Sequence, residues 1–330
     1  MVHKVVVLGA GGHTGRFVID TLRREGATAI PATRSGEFTG IDGTREDGRI
    51  LDFSRSDALD RTLSGASAVI NCAGPFFDTA LPAAEAALRA GIPYLDVAAE
   101  QTTTLRLFDT LDERAKSAGV TIIPAMAFYG GLADLLVSAL LAGGSADSIE
   151  IAVGLDSWQP TPGTRLTGEK NVYPRVIVRD GALAPIPDPA PAGQWTFPAP
   201  LGEQPVTCVA LSEIILISRH ISANSITSFM NLKPLNDLHD NSTLPPRPTD
   251  ARGRSAQKFV MEARVTANGQ NRHATAAGID IYAVSAPLIV KACLSLLDAE
   301  HKSGVRAPGE LFDAKPFLAR LAPDITVEYR

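Results

Sequence analysis

The sequence predicts an α/β protein: a Rossmann-type doubly wound parallel sheet with an α+β unit built on an antiparallel sheet. Three observations carry this expectation. An aliphatic, β-branched run at residues 4–8 breaks into glycines at 9, 11, 12 and 15 and then into a helix-like stretch. Strand-like and helix-like segments alternate from there to residue 125, the pattern of parallel strands joined by helical crossovers. Near Gly143 the pattern changes to strand-like segments, two of them joined by Asn268-Gly269, a strong hairpin signal.

Each element has a local reason. The first helix runs over 16–25, followed by strands at 28–33, 49–53 and 68–72. A helix over 81–90 is closed by Gly91, a strand follows at 93–97, a helix over 103–117 is closed by Gly119, and a sixth strand spans 120–125. In the second half, strands are expected at 148–155, 175–179, 208–217, 225–232, 258–265 and 272–279, with Pro-rich surface loops at 184–200 and 244–248. Residues 282–299 return to helical periodicity. The expected organisation is therefore 1–130 as a dinucleotide-binding domain, 131–281 as a sheet domain forming the floor or lid of a substrate site, and 282–330 as a C-terminal return to the first domain.

Composition narrows the function. With 330 residues, 45% of them hydrophobic, 20% charged and a net charge of −5, the chain is that of a globular protein with no basic run for nucleic acid or an anionic membrane. No apolar stretch is long enough and free enough of charge to span a bilayer, and no signal-like segment opens the chain, so a cytoplasmic location is expected. Cys72, Cys208 and Cys293 are odd in number and widely spaced, and the six histidines form no HxxxH or HxH pair; reduced thiols and no metal are expected. GxSxG and HExxH are both absent, which removes hydrolase chemistry of those kinds.

The glycine turn has the form of a phosphate cradle. Gly9 permits the strand-to-helix turn, Gly11 and Gly12 keep side chains away from a pyrophosphate, and Gly15 lets helix and strand pack closely. Gly9, Gly12 and Gly15 follow GxxGxxG, with His13 and Thr14 opening the helix whose N-terminus faces the phosphates. The second strand ends in Thr33, Arg34 and Ser35, where an NAD-specific fold would carry a carboxylate for the ribose hydroxyls. A guanidinium beside a hydroxyl instead grips a 2′-phosphate, so NADP is the expected cofactor. Asp52 either meets the adenine edge or caps the next segment. Cys72, Ala73 and Gly74 after the fourth strand and Ala98 after the fifth are further contact candidates, with Cys72 read as a packed thiol rather than a nucleophile.

Hydride transfer also needs a proton source. Tyr129, followed by two glycines, is the first candidate; the alternative is an aromatic packed at a hinge. Glu100 either orients a carboxamide or amine or caps the helix after it. His220 is read at the end of a hydrophobic strand, where Arg219 would favour its neutral form. Lys170 and Tyr173 lie in a segment able to close over a site; the stronger reading is a solvated loop pair. Trp158, Trp195, Phe197 and Phe229 leave room for an apolar cleft.

Together these segments resemble the saccharopine dehydrogenase family in its broad, NADP-binding sense. The resemblance rests on GAGGHTGR at 9–16, ATRS at 32–35, VINCAGPF at 69–76, AGIPYLDVAAEQ at 90–101, FPAPLGEQ at 197–204, ISRHI at 217–221 and DIYAVSAPLIV at 280–290. It implies a nicotinamide oxidoreductase, a homodimer with the sheet domain used for dimerisation, and reduction of an imine or a related small-molecule substrate. Arg165, Arg175 and Arg219 match no pattern of clamps for several carboxylates, which argues against saccharopine itself. The alternatives are a trans-acting enoyl reductase and a non-catalytic NADP sensor.

Overall fold

The computed structural model describes residues 2–141 and 144–330, so Gly143, where the sequence pattern changes, lies outside the described residues. The chain divides into two compact units, residues 1–127 with 285–306, and residues 128–284 with 307–330.

The first unit is a seven-stranded sheet in the order Gly304–Val305, Thr121–Ile123, Tyr94–Asp96, Ala68–Asn71, Lys4–Leu8, Thr28–Thr33, Arg49–Ile50, and every pairing in it is parallel. Val5 to Leu8 and Ala68 to Asn71 are fully buried, as expected for strands covered on both faces. Helix His13–Arg24 packs against Ser285–Asp298, while Ser56–Leu63, Phe76–Ala90 and Gln101–Ala118 pack in series. Right-handed crossovers force this division, because Lys4–Leu8 connects outward to one neighbour and Ala68–Asn71 to the strand on the opposite side. The switch between these two strands opens the crevice where such sheets bind ligands. Gly91 and Gly119 close their helices in the left-handed conformation, with φ of 65° and 68°.

The second unit is built on a nine-stranded sheet. Its main path runs Ala182–Pro185, Val176–Arg179, Ser222–Asn231, Ser145–Leu155, Lys258–Ala267, Gln270–Ile279, Ile325–Tyr329, with the pair Ala192–Thr196 and Glu203–Cys208 branching from Ser222–Asn231. The sheet is mixed rather than antiparallel throughout: Ser222–Asn231 runs parallel to Ser145–Leu155. The expected hairpin turns at Asn268 and Gly269, both with positive φ (52° and 72°), the backbone that the Asn-Gly pair accommodates.

Three local expectations change. Residues 208–217 do not form a strand; the strand is Glu203–Cys208, and Ser212–His220 is a helix whose residues 212–217 are all buried. A short apolar run buried on every side has no period, so it reads equally as strand or helix. The Pro-rich stretch 184–200 is not all loop, because Ala192–Thr196 pairs with Glu203–Cys208 and seats Trp195 and Phe197 in a core with Ala152, Val206 and Val260. The C-terminal segment also divides. Ser285–Arg306 belongs to the first unit, whereas 307–330 belongs to the second, where Ile325–Tyr329 extends the sheet beside Gln270–Ile279.

Candidate functional site

In the first unit the glycines fall into two classes. Gly9 has φ of +72°, and a Cβ there would stand 2.7 Å from Ala73 Cα; a Cβ on Gly15 would strike the Gly9 carbonyl and come within 2.8 Å of Ala10 Cα. These two are required by the turn and its packing. Gly11 would meet only Thr33 Cγ2 at an ordinary 3.6 Å, and both Gly11 and Gly12 are exposed. The lack of a side chain at Gly11 therefore serves the open side of the turn, whereas a Cβ on Gly12 would also crowd the Gly9 carbonyl at 3.2 Å. The helix starting at His13 has no side-chain cap and no acidic residue in its first turn, which leaves its dipole available to an anion. His13 packs edge-on against Phe17 and Thr14 is half-buried, so both hold the helix start.

Arg34 and Ser35 are exposed at the end of Thr28–Thr33. The turn is set by its neighbours: Thr33 Oγ1 donates to the Glu37 carbonyl at 2.8 Å, and the Glu37 amide donates to Ser35 Oγ at 3.2 Å. Arg34 has no ion-pair partner among the described residues. Asp52 caps its own turn, its Oδ1 accepting from the Ser54 hydroxyl at 2.7 Å and the Ser54 amide at 2.9 Å, and these bonds lower its pKa.

Cys72 lies beside the glycine turn, its amide donating to the Leu8 carbonyl at 2.8 Å, and burial pushes its thiol pKa far up, which suppresses a thiolate. From here a buried chain of hydrogen bonds ties together three strand ends. The Ala73 amide donates to Asn71 Oδ1 at 3.0 Å, Asn71 Nδ2 to Tyr94 Oη at 3.2 Å, and Tyr94 Oη to Asp96 Oδ2 at 3.0 Å. Asp96 Oδ1 then accepts the amides of Ala98 at 3.0 Å and Ala125 at 2.8 Å. Burial raises the Asp96 carboxyl to about 6 against the pull of those amides. Sequence inspection named Ala73 and Ala98 but missed the residues that fix them, Asn71, Tyr94 and Asp96. An acid and an amide at the ends of two wholly apolar strands were the available signal. Glu100 occupies the N-cap position of Gln101–Ala118, but its carboxylate reaches back to the Ala99 amide at 2.9 Å, and burial raises its pKa.

The second unit holds Tyr129 and His220. Tyr129 sits in a π-helical turn, Phe128–Leu132, a distortion that recurs at functional sites. Its ring packs edge-on to Phe128 at 4.9 Å and near Trp158 at 6.1 Å, and its hydroxyl is buried without a hydrogen-bond partner. Burial, with the nearby Tyr282 and Glu213, raises its pKa well above the usual phenol value.

His220 ends a helix rather than a strand. Its Nε2 donates to buried Asp134 Oδ1 at 2.6 Å, while the Gly309 amide donates to Oδ2 at 2.7 Å. Burial opposes the imidazolium, but Asp134 and Glu310 outweigh it and raise the pKa, so the charged form is favoured rather than the neutral form expected from Arg219.

Glu213, in the first turn of the same helix, was not anticipated. It is 2% exposed, its Oε1 accepts the Leu211 amide at 2.9 Å, and burial lifts its carboxyl to about 7 against the Leu211 amide, the Ser228 hydroxyl and the Arg175 charge. Arg165, by contrast, is used structurally, donating to the carbonyls of Leu238, Asp240 and Thr243 at 2.8, 2.9 and 3.1 Å.

The structure thus groups residues 9–15 with 72–74 at the sheet switch, with Arg34 and Ser35 at the end of the adjacent strand. Glu100 is in the first unit, and Tyr129 and His220 are in the second. The turn that carries Tyr129 packs on the helix that carries Glu213, and His220 lies seven residues beyond Glu213 on that helix, about 10 Å at the helical rise.

Comparison with known proteins agrees with this arrangement. The model of the saccharopine dehydrogenase NADP binding domain matches residues 5–123. A curated Arabidopsis thaliana protein, a probable mitochondrial saccharopine dehydrogenase-like oxidoreductase, is 26% identical over 145 residues, which is 38% of this chain and 32% of the relative. The match therefore spans about a third of that relative's length. Apo saccharopine dehydrogenase (L-Glu forming) from Saccharomyces cerevisiae superposes over 99% of both chains with a TM-score of 0.63 at 13% identity, a likeness of fold. Amine dehydrogenase from Mycobacterium smegmatis aligns over 95% of this chain and 97% of its own, with a TM-score of 0.47 and 12% identity. No helix among the described residues is long and apolar enough to cross a membrane. The likeness is thus one of domain and fold: residues 5–123 match the saccharopine dehydrogenase NADP binding domain, with a glycine turn at the switch of its parallel sheet, the chain shares a dehydrogenase-like fold, and it binds NADP(H) through that domain.

Proposed function

We propose that the protein is an NADPH-dependent reductase of a C=N bond in a small-molecule substrate. The observation that carries this reading is the Tyr129 hydroxyl, a buried donor without a partner on a π-helical turn. NADPH supplies the hydride. The polypeptide must hold the electrophile and satisfy the nitrogen that takes up the electron pair. A phenol kept protonated by burial suits hydrogen-bond donation to that nitrogen.

In this reading Gly9, Gly11, Gly12, His13, Thr14 and Gly15 cradle the pyrophosphate, Arg34 and Ser35 hold the 2′-phosphate, and Cys72, Ala73, Gly74 and Ala98 present backbone to the dinucleotide. Asp52 borders the adenine with its remaining oxygen. Glu100 fixes the turn after Tyr94–Asp96, and His220, bound to Asp134, positions the helix that carries Glu213.

An enoyl reductase would want a more apolar cleft, for which Trp158, Trp195, Phe197 and Phe229 leave room, and several of these side chains have other partners. Trp195 and Phe197 are core residues with Phe229 packed against them, Trp195 Nε1 donates to Glu262 at 3.1 Å, and Arg264 stacks 3.7 Å from the Trp195 ring centroid. Trp158 Nε1 donates to Tyr282 Oη at 3.0 Å.

The test is NADPH oxidation by the full chain with cyclic imines, amino acid and aldehyde pairs, and enoyl thioesters. Turnover of the C=N compounds is expected. Turnover of enoyl thioesters alone overturns the bond assignment, and NADPH binding without any turnover leaves the sensor. The homodimer implied by the family resemblance is checked by light scattering, and a cytoplasmic location by imaging of the tagged full-length protein.

A further inference from the structure

A phenol that burial keeps protonated is a good hydrogen-bond donor and a poor source of a whole proton, so the reduction needs an acid of its own. Helix Ser212–His220 packs on the π-helical turn that carries Tyr129. Three buried side-chain oxygens on these two elements have no hydrogen-bond partner: Tyr129 Oη, Ser212 Oγ and Glu213 Oε2. Polar atoms buried in this way are rare in folded proteins and call for an explanation. Glu213 is oriented, because the Leu211 amide holds Oε1 and leaves Oε2 as the working oxygen. The Ser228 hydroxyl moderates the acid without closing a hydrogen bond on Oε2.

Helix Ser212–His220 packs on the π-helical turn, on Val176–Arg179 and on Ser222–Asn231, and the groups whose charge or hydroxyl acts with Glu213 are Tyr129, Arg175 just before Val176–Arg179, Cys208 at the end of Glu203–Cys208, and Ser228. Arg179 is exposed at the far end of its strand. Asp134 of Ala133–Leu141 and Glu310 of Pro308–Leu311 act on His220 at the opposite end of the helix, where Arg219 also lies. Arg175 is the cation that acts on Glu213 among its main influences, and no ion pair to Glu213 is formed by the described residues.

We propose that Glu213 is the acid of the reduction, that its carboxylate then pairs with the N–H of a cationic iminium, and that Tyr129 donates to the lone pair that forms on nitrogen as hydride adds, which makes the substrate class a small imine basic enough to be protonated. This rests on the C=N reading. The Glu213 carboxyl gives its proton to the imine nitrogen, forming an N–H bond and an iminium paired with the carboxylate. Hydride from NADPH then forms the C–H bond, the π pair of C=N becomes the lone pair of the amine, NADP+ is left, and a solvent proton restores the acid. Imine, NADPH and one proton become amine and NADP+.

The test uses the full chain with 2-methyl-1-pyrroline as the imine and 2-methylpyrrolidine as the amine. Wild-type kcat is expected to fall as pH rises through about 7, where Glu213 loses its proton. Glu213→Gln should lower kcat by about 100-fold or more and remove that limb, with NADPH affinity unchanged, and Glu213→Asp should restore part of both. Amine binding to the NADP+ complex, followed calorimetrically, should weaken in Glu213→Gln.

A Glu213→Gln protein that keeps its turnover, its pH limb and its amine affinity overturns the inference and leaves the C=N reading intact. A wild-type protein that reduces enoyl thioesters and no imine overturns both. Should Glu213→Gln fail to fold, Glu213→Asp carries the test: an unchanged pH limb and unchanged amine affinity in that variant overturn the assignment.

Discussion

Arg34 is exposed at a strand end and has no ion-pair partner among the described residues, so its charge is free to select the cofactor. Arg34→Asp is expected to weaken NADPH binding by about 10- to 100-fold, the worth of a charge-assisted hydrogen bond, and to change NADH binding little. Fluorescence titration with both nucleotides checks this, and equal affinities in the unaltered protein would remove Arg34 from the selection. Tyr129→Phe is expected to lower kcat by about tenfold through loss of one donated hydrogen bond, with NADPH affinity unchanged. The glycine turn and the place of Arg34 at a strand end were legible in the sequence because they depend on neighbours a few residues away. Glu213 was not. Burial by strands and turns distant in sequence raises its pKa and holds its proton, and a glutamate before an apolar run carries no mark of that.

The strand, glycine turn and helix at residues 4–24 form an element whose glycines have separable duties. A Cβ on Gly15 meets the Gly9 carbonyl and Ala10 Cα, both backbone, so nothing flexible can give way. Gly15→Ala is expected to destabilise the protein by about 1–3 kcal/mol and to weaken NADPH binding, whereas Gly11→Ala, with 3.6 Å to its nearest neighbour, should leave stability almost unchanged and weaken binding alone. Thermal denaturation beside nucleotide titration separates the two. Helix Ser212–His220 shows the opposite situation, where local sequence misleads. Ile214 to Ile217 has strand character by composition, yet Ser212 to Ile217 is buried on every side as a helix. The π-helical turn at Phe128–Leu132 is likewise invisible locally, because Gly130 and Gly131 suit an open loop as well as a buried turn.

At the scale of the molecule, buried acids set the pH dependence of stability. The folded pKa values of Asp96, about 6, and Glu213, about 7, lie above the ordinary 3.8 and 4.5, so both groups favour the folded state at low pH and withdraw that support as pH rises through the folded values. His220, also raised, adds the same sign: its pair with Asp134 supports folding below 6.5 and is lost once the imidazolium deprotonates. Asp57, lowered to about 2 by its hydrogen bonds to Arg55 and Arg61, acts in the opposite sense and only in acid. Maximum stability is therefore expected at mildly acidic pH, and the melting temperature should fall from pH 5 to pH 8. Glu213→Gln should flatten that fall, regaining about 3 kcal/mol at most at the alkaline end. An equal slope in both proteins would mean that Glu213 stays neutral or is solvated.

The sequence by itself determined the parallel nucleotide unit, its cradle, the Arg34 position and the Asn268-Gly269 hairpin, because period, glycine spacing and turn chemistry are local properties. Only the tertiary structure decided the parallel pair within the second sheet, the division of the C-terminal segment and the Asn71, Tyr94 and Asp96 chain. It also packed the helix that carries Glu213 on the turn that carries Tyr129. Each of these depends on which distant segments exclude water from a given atom, and burial of that kind is a property of the packed chain.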